Sequence, residues 1–555
     1  MDRPGSGFAA LKQLAEWAQA RPRVLLAGMI LFGLAMWAAM LPATFGHNEW
    51  VYSWDSAAYL ETAESLHAGR GLYHRVIHGL GPQIWEPLTL WPPGYPIMIA
   101  AVMALGLSAK TACLVVSAGA AALSLILLGV IALRVMKWPL ACSVMILVAV
   151  SSSFQAISTQ CLSDSSYYCW VLGSVACVVE WVRRPRASWR WMLAAGLFAG
   201  AAFCTRNAAI ALFAATGVLM LAQLAWRRFA EMFRIGLIWA GGVAATVAPM
   251  VLYNLAAFGR INPYDMPASD LSLAHNISRA VSVIVGDMTT LGPLAGLAFN
   301  NTVPVLGAAG LLVAALVWLA VRRGAHAPLP VRLQRYGAPL FIAAYAVFSA
   351  ALIIIARTKY RWGEEISSRY LVQIYWALWI SLAVWGAAIL NQTRLSARVR
   401  SLALAGVFIA AVGLHLGDTR WVLLNKPGPN AQSLEAQLGP QGCAALEGAG
   451  GEGQIVMATR ADLLRIHCGL NARPIAALAG ADDSLRRAMT EEDLQGAIAG
   501  GHLWGFVIHD VAPVVRGDHG AVLQEIVTTP ERRPGFVRVA VPGTAHVLRY
   551  DDGKS

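Results

Sequence analysis

The sequence predicts an all-α polytopic membrane protein of about eleven spans, with juxtamembrane helices and a small α/β soluble domain at its C-terminal end. Three observations carry that reading. The 555-residue chain is 57% hydrophobic and only 13% charged. Apolar runs of bilayer-crossing length, roughly 20 residues, recur from residue 24 to residue 416. Beyond 416 the composition changes to charged turns and glycine-rich stretches with no such run, so 1–416 reads as a membrane domain and 417–555 as one soluble domain.

The expected spans are 24–41, 111–133, 140–156, 165–182, 191–204, 208–225, 235–257, 303–321, 338–356, 370–390 and 402–416. Lys12, Arg21 and Arg23 precede the first, whose apolar core exceeds the roughly 7–15 residues of a cleaved signal, so it reads as an uncleaved anchor. With the N-terminus cytoplasmic, alternate loops hold most of the basic residues: Arg134 and Lys137; Arg183, Arg184, Arg186 and Arg190; Arg227, Arg228 and Arg234; Arg322, Arg323, Arg332 and Arg335; Arg394, Arg398 and Arg400. That positive-inside pattern accounts for the net charge of +12 without a nucleic-acid partner. It implies a multi-pass protein of the cytoplasmic (inner) membrane with an extracytoplasmic C-terminal domain. The short apolar stretch 96–107 is then a helix dipping into the outer leaflet.

The carboxylates sort by side. Before residue 417 only Asp2, Glu16, Glu180 and Glu231 fall inside, while Glu49, Asp55, Glu61, Glu64, Glu86, Asp164, Asp265, Asp270, Asp287, Glu364 and Glu365 fall outside. Acidic residues contribute little to topology, so the asymmetry points to an outer working face. Asp55, at the mouth of the first span, is a functional-site candidate, with a helix cap as the plain alternative.

In the first outer loop, 42–95, Tyr59, Leu60, Ala63 and Leu66 recur at helical spacing with Glu61, Glu64 and His67 between them. This predicts an amphipathic helix lying in the interface, ended by Gly69 and Gly71. Pro87, Pro92, Pro93 and Pro96 fix the re-entry of the chain, and Trp85 and Trp91 suit the interfacial belt. His47, His74 and His78 lack ligand spacing and read as solvated loop histidines. Cys113, Cys142, Cys161, Cys169, Cys177 and Cys204 read as packing residues. Whether Cys443 pairs with Cys468 stays open. In the tail, strands are expected at 454–459, 473–478, 505–510 and 537–541, with a helix near 483–499.

Six motifs follow one another along the chain: D-S-A-A-Y-L-E-T-A-E-S-L-H-A-G-R-G-L at 55–72, W-P-P-G-Y-P at 91–96, S-D-S-S-Y at 163–167, G-L-F-A-G-A-A-F-C-T-R-N at 196–207, Y-N-L-A-A-F-G at 253–259 and S-R-Y-L at 368–371. Together they resemble the GT-C superfamily of membrane glycosyltransferases, in particular the bacterial branch related to protein O-mannosyltransferases and the lipid A aminoarabinose transferase. The resemblance implies transfer of a sugar from a polyprenyl-phosphate donor to an acceptor hydroxyl on an envelope lipid, glycan or protein. It makes Asp55 the base, places Arg369, Arg206 and Tyr370 at the donor phosphate, and turns Asp164, Glu86, Tyr59 and Asn254 toward substrate. A divalent cation, if bound, would take Asp55, Asp164 and Glu86 as ligands. Arg357, Lys359 and Arg361 read as contacts to membrane-lipid headgroups, and snorkelling or a helix cap are the plain alternatives for Arg369 and Arg206.

Three positions depart from the family. Ser56 follows Asp55 where the mannosyl branch has an acid, Trp91 stands where the aminoarabinose branch has a lysine, and Tyr253 replaces an arginine. A flippase or transporter for a lipid-linked substrate, or a non-catalytic scaffold, are the alternatives of other classes. The transporter is disfavoured because no internal repeat is visible.

Overall fold

A computed structural model describes residues 21–46, 54–75, 85–184, 189–224, 229–263, 268–291, 294–297, 329–360, 365–390, 396–424, 442–444, 446, 454–458, 461–474, 478–479, 486–487, 490–508, 521–529, 532–533, 535–539 and 546–551. The expected span 303–321 lies outside them, as do Glu49, His47, His78, Asp265, Arg361 and Glu364.

Helix α1 (Pro22–Gly46) is followed by α2 (Trp54–His67), a hairpin of β1 (Tyr73–Arg75) and β2 (Trp85–Pro87), and the short α3 (Gly94–Met103). Then come α4 (Ala109–Val135), α5 (Trp138–Ala149), α6 (Ser152–Thr159), α7 (Asp164–Arg183), α8 (Trp189–Thr205), α9 (Ile210–Gln223), α10 (Phe229–Phe258), α11 (Leu273–Thr289), α12 (Leu329–Lys359), α13 (Ser368–Leu390) and α14 (Ala397–Leu424). The C-terminal elements are β3 (Ile455–Ala458), α15 (Ala461–Cys468), β4 (Ala472–Pro474), β5 (Leu478–Ala479), β6 (Arg486–Arg487), α16 (Glu491–Ala499), β7 (Leu503–Ile508), α17 (Ala521–Thr528), β8 (Phe536–Val539) and β9 (His546–Tyr550).

The expected spans within the described residues all fall on helices, and the count of eleven is not confirmed. Among the described residues four helices are long and apolar enough to cross a membrane, and five if a bent pair counts as one. Helix α7 carries Asp164 at its first residue and Glu180 in its last turn, and α8 has 17 residues. The single span expected at 140–156 is the bent pair α5 and α6, broken by 58°. Ser151 makes the break by capping α6, its Oγ accepting from Phe154 N at 3.3 Å. Helix α14 runs on to Leu424, past the composition change at Gly417.

Helix α7 is the centre of the membrane domain. Its buried residues run almost continuously from Asp164 to Val182, and a helix buried all round must be surrounded by others. It packs on α4, α8 and α12. Its 20 residues make it about 30 Å long, with Asp164 at one end and, at the other, Glu180 paired with Arg134 at 2.6 Å. Helix α8 lies tightly on α10 because Gly196 and Gly200 leave no room for a Cβ against Trp239, Val243 and Thr246. Gly94 opens α3 for the same reason, since a Cβ there would sit 2.5 Å from Cys204 O at the end of α8. The small residue of the Pro-Pro-Gly turn thus lets α3 abut the end of α8.

Two expectations about the first loop are corrected. Helix α2 is not an amphipathic interfacial helix, because Ser56, Ala57, Ala58, Tyr59, Leu60, Glu61, Thr62 and Ala63 are all buried. Membrane-domain helices cover one side, and the C-terminal domain covers the other. His74 is not a solvated loop residue either: it is 1% exposed, with Nδ1 2.8 Å from Arg75 O. Nor is Cys113 a mere packing residue, since it is bonded to Cys161 and ties α4 to the turn before α7.

The C-terminal domain is built on a five-stranded sheet in the order β4-β3-β7-β9-β8. Strands β4, β3 and β7 run parallel, whereas β9 is antiparallel to β7 and β8. The sequence reading missed β9. Alternation along β3 sends Val456 and Ala458 to one face and Ile455 and Met457 to the other. The second face packs on Leu494, Ala497, Leu523 and Ile526 of α16 and α17. The first shares a core with Tyr59, Leu60 and Ala63 of α2 and Tyr95 and Ile99 of α3. Cys443 and Cys468 are bonded, with Cα atoms 5.0 Å apart.

A methyl group at Gly94 cannot be accommodated without moving backbone. Gly94→Ala should therefore cost roughly 1–3 kcal/mol, read as a lowered thermal unfolding midpoint of the detergent-purified chain. An unchanged midpoint would contradict the close approach.

Candidate active site

Three helices begin at one place. Asp55 lies in the first turn of α2, Asp164 opens α7, and Arg369 is the second residue of α13. Helix N-termini carry partial positive charge, which favours the two carboxylates and works against the guanidinium. The carboxylates compensate Arg369 directly. Its Nε donates to Asp164 Oδ2 at 3.1 Å and its Nη2 to Asp55 Oδ2 in a short bond. Arg206, in the extended residue after α8, donates from Nη1 to the other oxygen of Asp164 at 2.6 Å. The result is an alternating chain, Asp55–Arg369–Asp164–Arg206, with two charges of each sign.

The members differ in access. The Asp164 side chain is 6% exposed, whereas that of Asp55 is 23% exposed, so Asp55 is the carboxylate that a solute can reach. Burial opposes the Arg206 charge, but Asp164 more than offsets it and holds the guanidinium above its ordinary range. Tyr370 lies under the Arg369 guanidinium, 5.8 Å from ring centroid to Cζ.

The neighbouring residues hold this chain in place. Ser56 Oγ donates to Cys161 O at 2.7 Å, so the residue found where the mannosyl branch has an acid turns to the turn before α7. Tyr59 OH and Ser163 Oγ are 3.1 Å apart, and the Tyr59 ring meets Tyr95 and Trp91 edge-on. Burial, and then the Asp55 charge, push the Tyr59 hydroxyl above its ordinary range, so it stays protonated. Ser117 and Tyr95 bond each other at 2.6 Å beneath the same turn.

The remaining sequence candidates make other described contacts. Glu86, on β2, lies 3.7 Å from His74 Nδ1 and faces Arg473, whose guanidinium burial and then Arg465 push down to about 10. Asn254 donates to Ile261 O at 2.9 Å, closing the chain after α10, and no described bond joins it to Asp55 or Arg369. The three carboxylates named for a cation do not converge, because no group of three His, Cys, Asp or Glu forms a metal cradle among the described residues. Asp55 and Asp164 share an arginine instead. Arg357 is buried and donates to Ser269 Oγ at 3.0 Å, so it is no headgroup contact. Lys359 lies 5.0 Å from the Tyr360 ring centroid.

No family model and no curated protein matches the sequence. Solved structures do. Archaeal oligosaccharyltransferase AglB from Archaeoglobus fulgidus, in complex with an inhibitory peptide and a dolichol-phosphate, aligns with TM-score 0.54 at 11% identity, over 96% of this chain and 75% of that one. ArnT from Cupriavidus metallidurans bound to undecaprenyl phosphate aligns with TM-score 0.51 at 15% identity, over 95% and 98% of the two chains. Arabinofuranosyltransferase AftD from Mycobacteria gives 0.53 at 15% identity, over 94% of this chain and 40% of its own. These structural neighbours are GT-C glycosyltransferases. This chain has the GT-C fold.

Within this GT-C framework one carboxylate escaped the sequence reading except as an acid on the expected outer side. Asp287, on α11, accepts from Ser368 Oγ at 2.9 Å, from Ser153 Oγ at 3.0 Å and from Tyr375 OH. It therefore ties α6 and two points on α13 together, one of them the residue before Arg369. Its partners lie 81, 134 and 88 residues away in sequence, and no local pattern announces such a meeting.

Removing that acceptor leaves three hydroxyls to find other partners. Asp287→Ala should cost roughly 1–3 kcal/mol of stability and Tyr375→Phe less, measured by thermal unfolding of the purified protein. Equal, negligible shifts in both variants would show that Asp287 does not organise the start of α13.

Proposed function

We propose that this protein is a glycosyltransferase that moves a hexosyl or pentosyl unit from a polyprenyl-phosphate donor to an acceptor hydroxyl. One observation carries the reading: in a GT-C fold, Arg369 joins a reachable carboxylate, Asp55, to a buried one, Asp164. In this reading a donor phosphate oxygen takes one arm of the Arg369 fork, with Arg206 and Tyr370 beside it. Guanidinium suits that exchange because its planar fork binds carboxylate and phosphate alike. Asp55 is thereby left with an open lone pair facing the acceptor.

The acceptor hydroxyl oxygen attacks the anomeric carbon as the bond from that carbon to the phosphate oxygen breaks. The phosphate departs with the electron pair, and the hydroxyl proton passes to Asp55. Attack from the face opposite the leaving phosphate inverts the anomeric centre through an oxocarbenium-like transition state. Asp164 keeps Arg369 and Arg206 in register throughout. Among the described residues Asp55, Asp164 and Glu86 form no three-ligand metal group, so no step is routed through a metal. The AglB and ArnT structures bound to dolichol-phosphate and undecaprenyl phosphate support a lipid-phosphate donor. The positive-inside pattern supports an outer working face on the cytoplasmic membrane. It also supports an extracytoplasmic C-terminal domain, and on that side the acceptor is an envelope lipid, glycan or protein.

The test is mass spectrometry of envelope glycans and lipid-linked sugars from a deletion strain carrying the wild type or a variant. Asp55→Asn should lower transfer by roughly 10²–10⁴-fold, leaving the donor accumulated beside an acceptor short of one sugar. Arg369→Lys should also accumulate donor, since a point charge replaces the fork. Undiminished transfer by Asp55→Asn would end the assignment of the base.

A further inference from the structure

We propose that Arg465, in the C-terminal domain, is a positioning residue for Asp55, acting through Glu61 on the helix that carries both acids. The inference rests on the reading of Asp55 as the base and gives the C-terminal domain a part in that chemistry.

Helix α2 has 14 residues, with Asp55 in its first turn. Glu61 follows six residues later, about 9 Å along the axis and roughly 240° around it, so the two acids face different neighbours. Asp55 is held by Arg369 of the membrane domain. Glu61, 6% exposed, is held by Arg465, which is 3% exposed. Arg465 Nε donates to Glu61 Oε1 at 2.9 Å and Nη2 to Oε2 in a short bond, a two-pronged grip.

The hairpin closes the unit. Arg75 N donates to Glu61 Oε2 at 2.9 Å, Arg465 Nη2 also donates to Arg75 O at 2.7 Å, and Arg75 Nη1 reaches Leu470 O at 3.1 Å. Around this polar centre Tyr59, Leu60 and Ala63 share a core with Val456, Ala461 and Leu464. Apolar contact alone would hold the domain in place. What a buried, forked ion pair adds is direction, since it satisfies its bonds in one orientation of α2 and strands a charge in others. A helix transmits that orientation along its length, and a displacement on the order of 1 Å at a reacting group can cost 10²-fold in rate.

Two measurements on the full-length chain test this. In hydrogen exchange of the purified protein, Arg465→Ala should speed exchange of the α2 amides roughly tenfold, while the β7 amides keep their protection. If Arg465→Ala loosens β7 as well, Glu61→Gln breaks the same pair without touching the domain core and serves as the readout. The second measurement is transfer in the deletion strain, compared with thermal stability. Arg465→Ala and Glu61→Gln should each lower transfer roughly tenfold or more. The double variant Glu61→Leu with Arg465→Met should regain the unfolding midpoint but not the transfer, because it restores burial without direction. Transfer that returns with stability, or α2 exchange within twofold of the wild type in both single variants, overturns the proposal. Asp55→Asn separates the two readings: transfer that survives it while α2 exchange still answers to Arg465 removes the base and leaves the clamp.

Discussion

The guanidinium of Arg369 is the constraint around which the fold is arranged. It sits at a helix start, where the dipole opposes it, and two aspartates from two other helix starts hold it there. Each of those aspartates is fixed in turn by its backbone. The turn before Asp164 is tied to α4 through the Cys113–Cys161 bond and to α2 through Ser56 and Tyr59. Arg369 itself follows Ser368, which Asp287 holds from α11. Charge compensation at one point relates α2, α7 and α13, and the Asp287 hydrogen bonds add α11.

That arrangement depends equally on close backbone approach. Arg206 reaches Asp164 because α8 ends where Gly94 lets α3 abut Cys204. Gly196 and Gly200 let α8 lie against α10, so the helix carrying Arg206 is located from both sides. In a membrane setting, where apolar burial against lipid gives little drive for association, such packing is the main source of helix–helix specificity.

Much of this was legible in the chain, and the limits have physical causes. Run length located the spans, since a stretch of roughly 20 apolar residues needs no partner to be recognised. The count of eleven spans is not confirmed: Ser151 breaks α5 from α6, and α7 carries Asp164 and Glu180 near its two ends. The sequence motifs named Asp55, Asp164, Arg206 and Arg369, which the fold brings into one chain of ion pairs. Glu86 and Asn254 were named on the same grounds, and their described contacts are to His74 and to Ile261. Glu61 was expected on the polar side of an interfacial helix. Its partner is 404 residues away, beyond the reach of any local pattern.

That separation also bears on biogenesis. Helix α2 and its glutamate are made early, whereas the arginine that receives the glutamate arrives only after the whole membrane domain has been synthesised. Until then α2 has one wet flank and an unpaired acid, and contacts this distant in sequence form late in folding. The site is therefore enclosed only late in synthesis: a product stopped short of Arg465 contains every member of the Asp55–Arg369 chain yet lacks the surface that covers α2.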